Sequence, residues 1–167
     1  MKKRSTNADI VSPKPLSKDL SLPWRPTTTM SGKDCEESAR VAQRIKAQLK
    51  ACYRNARKAI LNLTEYKDAS YVEGMAVLSL GMSLEHAWVV RDGLVIDPTN
   101  VLRPNLPIVG YFPGLEVKGR KGIAEFIKRF GRRYHQEPFF YAFGWSGSSS
   151  KSFTASREAA SKMTGGR

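Results

Sequence analysis

Residues 84–99 read LEHAWVVRDGLVIDPT, two short apolar runs separated by a tight-turn dipeptide. Asp92-Gly93 is a pair that typically joins antiparallel strands through a two-residue turn. Pairing outward from that turn brings His86 within one diagonal step of Asp97, on the same face of the sheet. The spacing therefore predicts a β-hairpin that holds an imidazole beside a carboxylate.

The sequence around the hairpin predicts the rest of a small antiparallel sheet. Residues 70–80 have the apolar content of a strand that precedes the hairpin. Residues 108–112 are a candidate fourth strand, which Pro113-Gly114 would close. Residues 139–143 are either a last strand or a segment that caps the core.

Helical periodicity flanks the predicted sheet on both sides. From Val41 to Leu63, apolar residues recur in steps of three and four, which predicts one helix that begins near Asp34. The same spacing returns over residues 119–133, where basic residues surround the apolar positions. An N-terminal helix, an antiparallel meander and a C-terminal basic helix are typical of an α+β domain, here residues 34–145.

The two ends of the chain differ in composition from this domain. Residues 1–33 contain four prolines among Ser, Thr and Lys, so we expect a flexible basic arm. Residues 146–167 are rich in Ser and Gly and are expected to form a flexible tail, with a short helix over 155–163. Because the sequence shows no signal peptide, no apolar run that spans a membrane and only two cysteines, we expect a cytoplasmic protein without a membrane partner.

The net charge of +13 attracts polyanions without requiring a specific site. Most of the excess charge lies on the two terminal segments, and the predicted helix over 119–133 adds a basic surface. This basic helix contains the candidate polyanion-binding residues Arg120, Lys121, Arg129, Arg132 and Arg133. The alternative is a solvated helix face whose cations complement the helix dipole.

The predicted His86–Asp97 pair has the arrangement of a general base, since the carboxylate orients the imidazole and leaves its other nitrogen free for a proton. The candidate nucleophile is Cys52, on the helix that precedes the sheet. A thiol near a helix N-terminus is activated, but an unbroken helix over residues 36–63 would place Cys52 in its middle. Because Cys52 also lies on the apolar stripe, a buried core cysteine is the alternative.

The order Cys, His, Asp, with His86-Ala87-Trp88 followed by Asp97-Pro98-Thr99, resembles the transglutaminase-like branch of the papain-like cysteine hydrolases. The segments CYRNA at 52–56, YVEG at 71–74 and Tyr111-Phe112 are similar to those of small, mostly uncharacterised bacterial and phage members. This resemblance covers roughly residues 48–118.

The resemblance implies a papain-like fold and acyl-transfer chemistry, as in a peptidase, deamidase, amidase or amine acyltransferase. Cys52 would form a thioester, His86 would act as general base and then acid, and Asp97 would orient the imidazole. We expect a protein or peptide substrate and no cofactor. Cys35 is interpreted as an incidental surface thiol.

Further residues are candidates for substrate or oxyanion support: Gln48, Asn55, Glu73 and Trp88. The alternatives are a core position for the tryptophan, and satisfaction of buried backbone groups by the asparagine and the glutamate. The spacing of the Cys and His residues matches no metal-binding motif, so we expect no metal site. The competing hypotheses are a non-catalytic basic protein that binds nucleic acid, and a papain-like interaction module without activity.

Overall fold

The computed structural model describes residues 32–143 and 148–165, so most of the predicted arm lies outside the described residues. Eight regular elements follow one another in the described chain: α1 (Cys35–Arg44), α2 (Cys52–Asn62), β1 (Ser70–Leu78), β2 (Ser83–Arg91), β3 (Leu94–Ile96), β4 (Ile108–Lys118), α3 (Gly119–Phe130) and α4 (Ser148–Met163). Short 3₁₀ turns cover Thr64–Tyr66, Asn100–Leu102, Arg132–His135 and Phe139–Phe143. The fold is α+β with a small antiparallel sheet, which confirms the predicted class.

The predicted hairpin forms the edge of the sheet, in which the strand order is β3-β2-β1-β4. Asp92 and Gly93 both have positive φ angles, 53° and 78°, as a two-residue turn with the twist of its strands requires. The register pairs Arg91 with Leu94 and then Val90 with Val95. The local sequence therefore predicts the pairing of β2 with β3.

The fourth strand is longer than predicted, because Pro113-Gly114 lies within β4 and does not end it. The register between β1 and β4 shifts between Glu73 and Gly74, opposite this dipeptide. An added Cβ on Gly74 would lie 2.1 Å from the carbonyl oxygen of Phe112, so only glycine allows this close approach. A proline is tolerated at such an irregularity because the ladder hydrogen bonds are already interrupted.

The prediction of one unbroken helix over residues 36–63 is wrong. Two helices, α1 and α2, are separated by residues 45–51, and Lys46 and Lys50 in that segment have left-handed φ angles of 51° and 60°. The apolar stripe continues through the break because both helices present their apolar side chains to the same core. Periodicity alone therefore does not reveal where one helix ends and the next begins.

The helices pack against one face of the sheet, and a second apolar cluster covers the other. The first cluster joins α1, α2 and α3 to the sheet and includes Val41, Ala56, Ile60, Tyr71, Val89, Val117, Ile123 and Phe126. The second includes Val72, Ala76, Trp88, Val95, Ile108 and Tyr111. Packing in the first cluster holds α2 against β2.

Of the two sequence-based interpretations of residues 139–143, the structure agrees with the core-capping segment, whereas the segment after residue 146 differs from its description. Residues 139–143 form a 3₁₀ turn that caps the core, and the ring of Phe139 stacks on Phe126 at 3.9 Å. The described part of the predicted tail is helix α4, which begins seven residues before the predicted helix and packs on β1 and β4. Its Ser156 hydroxyl accepts a hydrogen bond from the Met75 N–H and donates one to the Phe112 carbonyl. The Met75 N–H and the Phe112 carbonyl lie beside the irregular pairing of β1 and β4. The Ser156 hydroxyl therefore takes the place of a backbone hydrogen-bond partner for each of them.

None of the helices in the described parts of the chain combines the length and apolar character needed to cross a bilayer.

Candidate active site

Cys52 is the first residue of α2 and is partly exposed. The preceding cap residue, Ala51, contributes no side-chain hydrogen bond, and the first helical bond runs from the Asn55 N–H to the Ala51 carbonyl. The amides at the start of the helix therefore precede the helical ladder and point past its end. A helix N-terminus carries partial positive charge, and its free amides can donate hydrogen bonds to a negatively charged group.

His86, in β2, and Asp97, the residue after β3, form a buried pair. The imidazole Nε2 lies 2.8 Å from Asp97 Oδ2, and both side chains are almost completely excluded from solvent. Cys52 lies close enough to the imidazole to contribute to the raised pKa of His86. Because Asp97 occupies Nε2, Nδ1 is the nitrogen that remains for the thiol.

The electrostatics of this pair favour an imidazolium and a carboxylate. Burial opposes the charge on His86, but the Asp97 carboxylate and Cys52 outweigh burial and raise the pKa of His86 to about 10. Burial likewise opposes the charge on Asp97, but His86 and hydrogen bonds from the Asn100 amide and Tyr111 lower its pKa to about 2. The pair is therefore ionised across the neutral range.

The Asp97 carboxylate accepts hydrogen bonds at both oxygens. Oδ1 accepts the backbone N–H groups of Thr99 at 3.0 Å and Asn100 at 2.9 Å, as an aspartate that opens a turn does. Oδ2 accepts the Tyr111 hydroxyl at 2.9 Å in addition to His86. Four donors leave the carboxylate little freedom to rotate, so its orientation toward His86 is determined before any substrate binds.

Tyr111 is a site residue that the sequence-based assignment did not include. Its strand, β4, lies two strands away from β2, so no local spacing connects it to Asp97. The available signal is its alternation: Tyr111 pairs with Ala76, on the same face as Trp88. That signal requires the strand order, which the sequence does not provide.

No protein-family model, curated protein or solved structure matches the chain. The assignment of the site therefore depends on the geometry and on the sequence resemblance. Among the described residues, no group of three or more His, Cys, Asp or Glu side chains is arranged to hold a metal ion.

Asn55 is fully buried one turn after Cys52, and its carboxamide is saturated by protein partners. Its oxygen accepts the Gln48 N–H at 3.2 Å, and its nitrogen donates to the Gln48 carbonyl at 2.7 Å and to Thr99 Oγ1 at 2.9 Å. These bonds join the segment before Cys52 to the turn after Asp97. Asn55 thus positions both segments, and its hydrogen bonds are already used.

Gln48 is exposed in the segment that leads to Cys52. Its side-chain oxygen accepts a hydrogen bond from the guanidinium of Arg54, in the first turn of α2. This contact leaves the amide nitrogen as the group that can donate to a substrate oxygen.

Glu73 lies in the core, where it binds protein groups. Its carboxylate accepts the N–H groups of Phe139 at 2.6 Å and Phe140 at 2.9 Å and the Tyr71 hydroxyl at 2.5 Å, and Arg57 Nη1 lies 3.8 Å away. Burial raises its pKa to about 7 against the lowering effect of these partners. Because it is fully buried, Glu73 attaches the 139–143 turn to β1 and is screened from solvent.

Trp88 is fully buried and supports the imidazole. Its ring is stacked with His86 at a centroid distance of 6.3 Å and meets Tyr111 edge-on at 5.1 Å. These contacts restrict the position of the His86 ring from the side opposite solvent. Trp88 therefore belongs to the packing beneath the site.

The five predicted polyanion-binding residues have different environments. Arg120 donates to the carbonyl oxygens of Ile60 and Leu63 at 3.1 and 3.2 Å, and so satisfies the C-terminal end of α2. The other four are exposed: Lys121 near Glu125, Arg129 over the Phe130 ring, Arg133 over the Tyr134 ring, and Arg132 beyond the end of α3. Arg120 therefore has a structural role that the sequence pattern did not indicate.

Proposed function

We propose that the protein is a cysteine-dependent acyl-transfer enzyme with a papain-like arrangement of its α+β fold. The observation that carries this proposal is the convergence of three residues from separate elements. Cys52 at the start of α2 lies close enough to His86 to raise the pKa of the imidazole, whose Nε2 is 2.8 Å from Asp97 Oδ2. A nucleophile, a base and an orienting carboxylate in this order form a complete set for covalent catalysis.

Acylation begins with the Cys52 thiolate, which the His86 imidazolium stabilises. The sulfur attacks the carbonyl carbon of an amide, and the negative charge moves to the carbonyl oxygen. The Cys52 N–H, and the Gln48 amide if it reorients, are the candidate donors to that oxygen. When the carbon–nitrogen bond breaks, His86 donates its proton to the departing nitrogen, which leaves as an amine or ammonia.

Deacylation reverses the role of the imidazole. Neutral His86 accepts a proton from water or from an amine as that nucleophile attacks the thioester. Collapse of the second tetrahedral intermediate releases a carboxylic acid or a new amide and restores the thiolate and imidazolium. The choice between water and amine distinguishes a hydrolase from an acyltransferase, and both use the same three residues.

A protein or peptide is the proposed acyl donor, because the approach to Cys52 is open. Gln48, Leu49 and Lys50 immediately before the nucleophile are all exposed. A surface segment of this kind accommodates an extended chain more readily than a closed pocket would.

The test compares the two cysteines, because both are the first residue of a helix. Cys35 opens α1 and is exposed beside Glu36 and Glu37, whereas Cys52 opens α2 beside His86. We expect iodoacetamide to alkylate Cys52 at about pH 6 faster than Cys35 by about tenfold or more, as measured by mass spectrometry of the folded protein. His86→Ala should remove this advantage without changing the rate at Cys35.

Equal rates at the two cysteines, or an unchanged Cys52 rate in the His86 variant, would contradict the proposed thiolate–imidazolium pair. Turnover is then measured with labelled casein, with and without a dansyl-labelled primary amine. Release of small peptides identifies a peptidase, release of ammonia a deamidase, and dansyl incorporation an acyltransferase. The Cys52→Ala variant provides the matched blank in each case.

A further inference from the structure

A groove separate from the candidate active site lies where the C-terminal ends of α2 and α3 meet. Its volume is about 430 Å³. Leu61, near the end of α2, is one of its lining residues, and helix geometry places it roughly 14 Å along the axis from Cys52. The residues that matter for the groove are three apolar and three basic side chains: Leu61, Ala124, Ile127, Lys128, Arg132 and His135.

The basic side chains of this α2–α3 groove are not neutralised within the described part of the chain. The nearby acidic residues are directed elsewhere: Glu125 lies 4.0 Å from Lys121 and Glu137 lies 3.6 Å from Arg133. No ion pair involves Lys128 or Arg132 among the described residues. Adjacent cations without counter-charges repel one another, and an anionic ligand would relieve that repulsion.

The helix dipole by itself does not explain this arrangement. Cations in the last turn of α3 do stabilise its C-terminal end, and Lys128 and Arg129 both lie there. Of these two, only Lys128 lines the groove, and the groove also presents exposed Ala124 and partly exposed Leu61. A surface that combines aliphatic groups with unpaired cations is complementary to an amphipathic acidic ligand.

We propose that the α2–α3 groove binds an acidic segment of a partner polypeptide. An aliphatic side chain of the partner would lie against Leu61 and Ala124, and its carboxylates would face Lys128 and Arg132. A peptide is favoured over a single-stranded nucleic acid because, among the described residues, no Phe, Tyr or Trp ring lines the groove and its single aromatic side chain is the small imidazole of His135. Base stacking on aromatic side chains is the usual sequence-tolerant contact with single strands, whereas the nearby Phe126 ring stacks on Phe139 in the core.

The experiment measures binding of a short fluorescein-labelled peptide in which pairs of glutamates alternate with leucines, by fluorescence anisotropy at low salt. The test variant combines Lys128→Glu with Arg132→Glu. The matched control combines Lys121→Glu with Arg129→Glu, which changes the net charge equally and lies on the same helix outside the groove. Ala124→Trp fills the groove without changing any charge.

We expect the groove variant to weaken binding by about tenfold or more and the control variant by less than about threefold. Ala124→Trp should also weaken binding, by about fivefold, because it blocks the aliphatic contact. Circular dichroism checks the fold of each variant, and Lys128→Gln with Arg132→Gln replaces the glutamate pair if that variant unfolds.

Three results would overturn the proposal. The peptide fails to bind at low salt, or the control variant loses as much affinity as the groove variant, which indicates general attraction to a basic protein. In the third result, polyuridylate displaces the labelled peptide more effectively than unlabelled peptide does, and its binding depends on Lys128 and Arg132. The groove would then be a nucleic-acid-binding surface. The proposal does not involve Cys52, so these outcomes are independent of the catalytic test.

Discussion

Glu73 should make the protein less stable as the pH rises from the acidic range toward neutrality. Its carboxylate is completely buried, and burial raises its pKa from 4.5 to about 7 in the folded state. Between these two values the unfolded chain releases the Glu73 proton while the folded chain retains it. Since the folded state then binds more protons, the free energy of unfolding decreases with increasing pH.

The size of the effect follows from the shift of about 2.5 pKa units. Each unit corresponds to roughly 1.4 kcal/mol, so the complete effect is about 3 kcal/mol once the pH exceeds both values. Between about pH 5 and about pH 6, the free energy of unfolding should fall by about 1 kcal/mol because of Glu73 alone. The pKa values of Glu37 and Glu65 are lowered, so these residues change stability in the opposite direction, mainly at more acidic pH.

Glu73→Gln isolates this contribution because it preserves the shape of the side chain and cannot ionise. Urea unfolding followed by tryptophan fluorescence, at about pH 5 and about pH 6, gives the free energy for both proteins. The variant should be less stable at both pH values, because its NH₂ group replaces an acceptor of the Phe139 and Phe140 amides. The difference between the two proteins should nevertheless shrink by about 1 kcal/mol at the higher pH. A difference that is constant or grows with pH would refute a buried, proton-retaining Glu73.

Two further substitutions test positioning and structural roles. Thr99→Val removes the acceptor for the buried Asn55 amide, so we expect a loss of about 1–2 kcal/mol in urea unfolding and slower alkylation of Cys52 at about pH 6. Thr99→Ser should restore both the stability and the alkylation rate. If it restores neither, the hydroxyl group is not the acceptor that stabilises Asn55. Arg120→Met should destabilise the protein by about 1–2 kcal/mol, because two carbonyls at the end of α2 lose their donor, while Lys121→Met changes stability by less than about 0.5 kcal/mol. Equal effects of these two substitutions would contradict a capping role for Arg120.

The prediction of α4 illustrates where composition misleads. The Ser and Gly content after residue 146 is typical of a flexible segment, and only 155–163 shows a helical pattern. In the structure, Phe153 packs against Phe140 at 4.3 Å and Ser156 satisfies polar backbone groups of β1 and β4. The helix is thus stabilised by contacts that its own sequence does not display.

The interruption between α1 and α2, just before Cys52, also depends on contacts that the local sequence does not display. Leu49, Lys50 and Ala51 all favour helix, and the apolar stripe continues through them. Asn55 nevertheless binds the Gln48 backbone through its buried side chain and thereby competes with helical hydrogen bonds. Cys52 lies at a helix start because the buried Asn55 carboxamide stabilises the loop in front of it.

The sequence by itself determined the α+β class, the β2–β3 hairpin and the proximity of His86 to Asp97. These features depend on alternation and on one turn dipeptide, both of which act over a few residues. Only the tertiary structure decided that Cys52 reaches the imidazole, that Tyr111 joins the Asp97 carboxylate and that Glu73 binds the turn at 139–143. Those contacts link separate elements, and they form because buried polar groups must find partners that only the packed fold brings within reach.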